Sequence, residues 1–141
     1  MTVTPSAQYR DPEFTFRLDP HSGVPVYRQL IDQVQAAIAT GALRVGDQLP
    51  TVRGVAVDLA INPNTVVRAY REMEVRGVLD TQQGTGTFVA ENQMKHSKDE
   101  RRRQLSQLVT EFVARAGSAG IKLDELLEAL QQLSPEVRDK K

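Results

Sequence analysis

Three consecutive stretches decide the fold: L-R-V-G-D-Q-L-P-T-V-R-G-V-A at residues 43–56, I-N-P-N-T-V-V-R-A-Y-R-E-M-E at residues 61–74, and G-V-L-D-T-Q-Q-G-T-G-T-F-V at residues 77–89. The first predicts a turn and a short helix, the second a longer helix, and the third a hairpin with a glycine-rich tip. Two helices joined by a tight turn and followed by a two-stranded wing are typical of the winged helix-turn-helix, whose second helix lies in the DNA major groove.

Two predicted N-caps set the starts of the paired helices. Thr51 precedes the first helix, and Asn62 precedes the second, with Pro63 at its first position, where a missing backbone donor costs nothing. Apolar residues in the second helix recur at i, i+3, i+4 and i+7, so that face must contact the core. It comprises Val66, Ala69, Tyr70 and Met73.

The opposite face of the second helix carries the side chains that we expect to read DNA. Helical spacing turns Asn64, Arg68 and Arg71 outward and puts Thr65 on the flank near the helix start. Asn can pair with adenine, Arg with guanine, and Thr with a phosphate or a thymine methyl group. The free N–H groups and the dipole of the helix start also attract phosphate. Solvated helices often carry the same residues, but the adjoining helix and hairpin favour the DNA interpretation.

The remaining predicted DNA contacts come from the first helix and the hairpin. Arg53 lies where the first helix of such a pair crosses the DNA backbone, although an ion pair with Asp47 or Asp58 is an alternative. The hairpin tip has no Lys or Arg, but its glycines allow close approach to a phosphate and its threonines donate hydroxyls. An ordinary flexible turn also selects glycine. The predicted DNA-binding set is Thr51, Arg53, Asn62, Asn64, Thr65, Arg68, Arg71, Gly84, Thr85, Gly86 and Thr87.

The sequence divides into three parts that together predict an α+β fold. Residues 1–22 form an arm with one short strand, because Phe14 and its apolar neighbours alternate with polar residues. Residues 23–91 form the winged helix-turn-helix, whose opening helix has Pro25 at its first position and closes at Gly41. Residues 92–141 form a helical dimerisation tail.

The tail carries two amphipathic helices separated by G-S-A-G, and R-R-R before them is interpreted as a solvated helix face. These helices could pack back on the winged unit, but two short helices cannot bury their apolar stripes by themselves. A homodimer covers the stripes better and supplies the two-fold symmetry that a pseudo-palindromic operator needs. The predicted dimerisation residues are Leu105, Leu108, Val109, Phe112, Leu126, Leu127 and Leu130.

Composition excludes several classes of protein. The chain has 18 basic and 18 acidic residues, and residues 24–90 also carry no net charge, so DNA affinity must depend on where the arginines lie. There is no cysteine, and His21 and His96 lack companions at ligand spacing, so we expect no metal, cofactor or catalytic residue. No apolar run approaches the roughly 18 residues of a membrane helix, and no signal pattern begins the chain. We therefore expect a cytoplasmic protein without a membrane partner.

Several separated motifs are shared with one known family. They are Pro25-Val26-Tyr27, Gly46 to Arg53, Ala56, Thr65-Val66, Arg68-Ala69-Tyr70, Glu74, Gly77 and Gly84 to Thr87. Together they resemble the GntR family of bacterial transcription regulators over residues 23–90. The resemblance implies a dimeric repressor with an N-terminal winged helix and a separate effector or assembly domain. It also implies DNA contacts at Arg53, Asn64, Thr65, Arg68 and the hairpin tip.

The chain departs from the family pattern at Pro63 and Val67, where many members have arginines that contact DNA. The form N-P-N-T-V-V-R-A-Y and a tail of about 50 residues resemble the YtrA subgroup. That likeness implies an ABC-transporter operon as the target and tails that pair as two-helix units, but it identifies no small-molecule effector. A winged helix that binds protein and an enzyme remain as alternatives, which the polar outer helix face and the missing catalytic motifs disfavour.

Overall fold

In a computed structural model, which describes residues 14–91 and 97–133, the protein consists of two units. The first contains three helices and a hairpin, and the second contains two helices. The elements are α1 (Val26–Thr40), α2 (Val52–Leu59), α3 (Pro63–Val75), β1 (Leu79–Gln82), β2 (Gly86–Val89), α4 (Lys98–Ser118) and α5 (Leu123–Gln132). The predicted α+β class and the winged helix-turn-helix are confirmed.

The predicted N-caps of α2 and α3 are present. The hydroxyl oxygen of Thr51 accepts a hydrogen bond from the Gly54 N–H at 3.0 Å, and Asn62 Oδ1 accepts one from the Asn64 N–H at 2.8 Å. Each bond satisfies one backbone donor that the first helical turn leaves without a partner. At α1 the prediction was off by one residue, because Pro25 is the N-cap and not the first helical residue.

The core of the first unit joins all three of its helices to the hairpin. Leu30 and Val34 of α1 and Val66 and Met73 of α3 are fully buried, and Leu79 carries the same core into β1. Val66 and Met73 belong to the apolar face of α3 that helical spacing predicted. Their burial orients α3 and leaves its opposite side to the solvent.

The wing is an antiparallel hairpin that a third segment extends. β1 pairs with β2 in a register that sets Leu79 opposite Val89. The chain just before α2 follows the other edge of β2: the Gly46 N–H donates to the Val89 carbonyl at 2.9 Å, and the Leu49 N–H donates to the Thr87 carbonyl at 2.8 Å. The sequence predicted only a turn here, since four residues with one apolar side chain carry no alternation.

The predicted strand near the N-terminus is wrong. The described residues 14–19 are extended but pair with no strand. Instead, the side-chain amide of Gln33 binds both backbone groups of Arg17: Oε1 accepts from its N–H at 2.9 Å, and Nε2 donates to its carbonyl. Phe16 is buried in the core, with Phe14 edge-on against it at 4.9 Å between ring centroids. The alternation of apolar and polar residues therefore reflects packing of the aromatic side chains against the core. The Gln33 side-chain amide makes the backbone hydrogen bonds that a partner strand would make. The rest of the predicted arm lies outside the described residues.

The second unit is a helical pair with little interior. Ser97 caps α4 by accepting a hydrogen bond from the Glu100 N–H at 3.2 Å, and Gly120 takes a positive φ of 80° in the connection to α5. Ala116 and Leu126 are the buried residues of the described tail.

Candidate nucleic-acid interface

The outer face of α3 presents the side chains that the sequence singled out. Asn64, Arg68 and Arg71 are exposed, and Thr65 is half-buried on the flank, as predicted. Val75 near the helix end is 82% exposed, so the polar half of this face is the half nearer the helix start. The helix thus offers amide and guanidinium groups at successive turns, and these are the groups that can hydrogen-bond base edges in a major groove.

The arginines of this surface have no carboxylate partner within the described residues. The ion pairs within the described residues join Arg28 to Asp32 at 3.5 Å and Arg76 to Glu72 at 3.0 Å, and neither includes an arginine of this surface. The Asp47 carboxylate accepts a hydrogen bond from the Arg44 backbone N–H at 2.9 Å. Within residues 14–91, Arg53, Arg68 and Arg71 are thus exposed and form no ion pair, although the composition of the chain is balanced. The predicted alternative of an ion pair from Arg53 to Asp47 or Asp58 is wrong.

Arg68 contacts an aromatic ring. Its guanidinium carbon lies 3.7 Å from the centroid of the Tyr27 ring, which α1 contributes. Tyr27 is half-buried and packs against the core. The sequence did not predict this contact, because it joins residues 41 positions apart.

The start of α3 is more fully hydrogen-bonded than the sequence suggested. Asn62 Oδ1 accepts a hydrogen bond from the Asn64 N–H, and the Asn62 carbonyl accepts one from the Thr65 N–H at 3.0 Å. Pro63 has no backbone N–H to donate. The expected phosphate site made of free backbone N–H groups is therefore contradicted. The cap residues keep other groups: the Asn62 side-chain NH₂ and the Thr51 O–H can still donate, since each cap uses only the oxygen as acceptor.

The wing tip is held from the side by Gln48. Its Nε2 donates to the Thr85 carbonyl at 3.3 Å, and a Cβ added to Gly86 would lie 2.4 Å from the same nitrogen. Gly86 has a φ of +139° and Gly84 a φ of +77°, values that favour glycine. The hydroxyls of Thr81 and Thr87 lie 3.1 Å apart across the hairpin. Of the predicted residues, Gly84 and Thr85 lie exposed in the turn, and Gly86 and Thr87 are half-buried at the start of β2.

One buried hydroxyl connects α3 to the segment before α2. The Tyr70 O–H donates to the Pro50 carbonyl at 2.6 Å. Burial raises the pKa of Tyr70 above its ordinary value, so the phenol stays protonated and remains a donor throughout the physiological range. This bond helps to fix the angle between the two helices of the motif.

The described residues contain no group of three or more His, Asp or Glu side chains that could hold a metal ion. Across residues 14–91 and 97–133, every helix is too short or too polar to span a membrane.

Comparison with known proteins places this arrangement among bacterial regulators. The model of "Bacterial regulatory proteins, gntR family" matches residues 26–89. The chain is 33% identical over 122 residues to the HTH-type transcriptional repressor YtrA of Bacillus subtilis (strain 168), covering 86% of this chain and 94% of that protein. It is 38% identical over 111 residues to the uncharacterized regulator YhcF of the same organism, covering 78% and 90%.

Solved structures give the same result. A transcriptional regulator from Oenococcus oeni superposes with a TM-score of 0.53 and 34% identity, covering 82% of this chain and 96% of that one. A Listeria monocytogenes EGD-e protein, named a transcriptional antiterminator, superposes with a TM-score of 0.63 and 26% identity, covering 88% and 92%.

Proposed function

The chain belongs to the GntR family of bacterial regulatory proteins, and from that premise we propose that it represses its own operon as a homodimer on a pseudo-palindromic operator. It is a DNA-binding transcription regulator and not an enzyme. The observation that carries the proposal is the two-sided character of α3, which has fully buried apolar residues on one side and exposed Asn64, Arg68 and Arg71 on the other.

The proposed readout divides the interface by geometry. Asn64 and Arg68 on the outer face of α3 contact base edges, and Thr65 and Arg71 flank them. Arg53, the second residue of α2, contacts the DNA backbone. The remaining contacts come from the Thr51 hydroxyl, the Asn62 NH₂ group, and the wing tip, where the backbone of Gly84 and Gly86 and the hydroxyls of Thr85 and Thr87 face a phosphate.

The proposed dimer forms through the tail. Leu108 is 63% exposed and Phe112 47% exposed, in a helix whose spacing sets them on one side. The same face includes Leu105 and Val109, and α5 adds exposed Leu127 and Leu130. Leu126 is buried within the tail itself, so its role in the dimer is to hold α5 in place. Burying such a surface against a second copy is favourable at about 25 cal/mol per Å².

The proposed target follows from similarity. The relative YtrA is named a repressor, which favours repression over activation, and the resemblance to its subgroup favours an operon that encodes an ABC transporter. A regulator of this kind acts on chromosomal DNA in the cytoplasm. Its effector is not identified. A ligand pocket needs about 300 Å³ or more. The described part of the tail, residues 97–133, has two buried residues and no such interior, so we expect any ligand site to form between two tails.

The first test is selection of a binding sequence. The wild-type protein should enrich a two-fold symmetric duplex from a random-sequence pool, and it should protect a matching sequence upstream of its own gene from nuclease cleavage. Enrichment of no sequence, or of one without two related half-sites, would contradict the proposal.

The second test separates base contacts from backbone contacts. Arg68→Ala should cost about 1–3 kcal/mol on the enriched duplex and relax base preference at one position in each half-site. Arg53→Ala should weaken binding to the enriched duplex and to a scrambled one by similar factors, and it should lower the salt slope by about 1 for each phosphate that is no longer neutralised. Titrations of both variants on both duplexes at two salt concentrations measure this. Unchanged binding in both variants would sink the proposed interface.

A further inference from the structure

We propose that Tyr27 is a positioning residue for DNA recognition, which holds the Arg68 guanidinium in the orientation that reads a base. The inference rests on the proposed function, because it needs Arg68 to contact DNA. It assigns a role in specificity to a residue of α1, a helix that carries none of the predicted DNA contacts.

The contact has the geometry of a stacked cation–π pair. A separation of 3.7 Å between the guanidinium carbon and the ring centroid is van der Waals distance, so the cation lies on the face of the ring and not at its edge. The ring is fixed, because Tyr27 is half-buried against the core while Arg68 is exposed. A long exposed side chain is thus held at its charged end by a rigid platform.

Stacking leaves the hydrogen-bonding groups of the arginine free. The five N–H donors of a guanidinium lie in its plane and point outward, so a partner on one face does not block them. A carboxylate partner would occupy those donors, but neither ion pair in residues 14–91 involves Arg68. The Tyr27 contact therefore orders Arg68 without consuming the bidentate edge that guanine recognition uses.

Arg71 provides the internal comparison. It is exposed on the same face of α3, but within the described residues it has neither a ring partner nor an ion pair. Arg68 is thus pre-organised in the free protein and Arg71 is not. Pre-organisation lowers the entropy lost on binding, and it restricts the positions from which the guanidinium can donate, so it should favour the correct base over others.

The test is a double-mutant cycle on the duplex enriched by the wild-type protein and on a scrambled duplex of equal composition. Tyr27→Leu removes the ring face but keeps an apolar side chain, and Tyr27→Phe keeps the ring. Tyr27→Leu should lower affinity for the enriched duplex about two- to fivefold and leave the scrambled duplex unchanged. Tyr27→Phe should bind like the wild type.

The cycle identifies the partner through which Tyr27 acts. In an Arg68→Ala background Tyr27→Leu should cause no further loss, whereas in an Arg71→Ala background its full effect should persist. An equal loss in the Arg68→Ala background, or no loss in the wild-type background, would overturn the proposal. If Arg68→Ala itself loses no affinity, the proposed base contact fails, and the positioning role fails with it. A loss for Arg68→Ala combined with none for Tyr27→Leu refutes only the role of Tyr27.

A second measurement does not depend on DNA or on the stability of the leucine variant. In the nuclear magnetic resonance spectrum of the free protein, the ring current of Tyr27 should shift the Arg68 side-chain protons upfield relative to those of Arg71. Tyr27→Phe should preserve that shift. Arg68 protons at the same positions as those of Arg71 would show that the stack does not form in solution, and would overturn the proposal.

Discussion

The winged unit and the tail are both built from amphipathic helices, but they differ in where the apolar side of each helix ends up. In the winged unit, fifteen apolar residues are buried in one cluster, and they come from three helices, the hairpin, the N-terminal segment and the chain between α1 and α2. In the described tail, two residues are buried, and Leu105, Leu108 and Leu123 are each more than half exposed. The spacing of apolar residues alone does not distinguish these outcomes.

The difference shows that the apolar sides of a helix pair are fully buried only when further elements of the chain cover them. α1 and α3 are covered further by α2, the wing and Phe16, so their apolar sides close within one chain. In the described part of the tail, α4 and α5 have no such cover. Two short helices do not bury enough surface to be stable alone, which is why we propose that a second copy covers the tail while the winged unit closes within one chain.

The first prediction tests whether the winged unit is self-sufficient. Leu30 is fully buried, so Leu30→Ala should lower the free energy of unfolding of that unit by about 2–5 kcal/mol. Because the cavity lies within one chain, the loss should be the same at every protein concentration. Chemical denaturation at two concentrations, a hundredfold apart, measures it.

The matched variant for this test is Leu127→Ala in the tail, where the side chain is 50% exposed. Leu127→Ala should weaken association between two copies and leave the internal core intact. The denaturation midpoint of this variant should therefore depend on protein concentration. If Leu30→Ala and Leu127→Ala showed the same concentration dependence, the two regions would not differ in the way proposed.

The second prediction removes the tail. A chain that ends after Glu91 should be folded and monomeric at micromolar concentration, because the core cluster lies within residues 16–89. Losing bivalent attachment should lower its affinity for the enriched duplex about 100-fold or more. Sedimentation equilibrium and a DNA titration test the two statements. A truncated chain that remains dimeric would place the interface in the winged unit.

Local patterns predicted the winged unit well because its helices carry clear cap, stop or spacing signals, although the start of α1 was predicted one residue off. Thr51 and Asn62 both act as caps, Gly41 ends α1 in a left-handed conformation, and the buried side of α3 is the one that helical spacing selected. Most of the candidate site could be predicted for the same reason, since exposure on α3 follows from which side is buried.

What could not be predicted depends on partners distant in sequence. The contact of Arg68 with Tyr27, the pairing of the chain before α2 with β2, and the capture of Arg17 by Gln33 each join separate segments. The strand predicted near the N-terminus was wrong for the same reason. Its alternation was real, but a helix side chain supplied the hydrogen bonds that a strand would have supplied. The spacing of apolar residues indicates which side of a segment is buried, but it does not indicate which other segment covers that side.

The third prediction tests whether the wing belongs to the rigid part of the winged unit. Gly86→Ala should cost about 1–3 kcal/mol, because a φ of +139° is strained for a residue with a Cβ and the end of the Gln48 side chain would have to move away from the new Cβ. Gly84→Ala is the control, since its φ is also positive but a Cβ there meets nothing within 4 Å. The thermal midpoint should fall more for Gly86→Ala. Equal midpoints would mean that Gln48 does not hold the wing tip.

The fourth and smallest effect concerns the buried polar bond that joins α3 to the segment before α2. Tyr70→Phe removes the donor to the Pro50 carbonyl and should cost about 0.5–1.5 kcal/mol at neutral pH. Because this bond lies wholly within the winged unit, association through the tail should be unchanged in the variant.

The pH dependence of the same bond has a definite sign. Burial raises the pKa of Tyr70 in the folded protein, so the folded state keeps its proton to a higher pH than the unfolded state does. The stabilisation is therefore complete below the unfolded tyrosine pKa of about 10 and is lost as the pH rises beyond it. Denaturation between neutral pH and the alkaline range should show a steeper loss for the wild type than for Tyr70→Phe. Parallel curves would mean that Tyr70 ionises as freely in the folded chain as in the unfolded one, and that its phenol is not buried in solution.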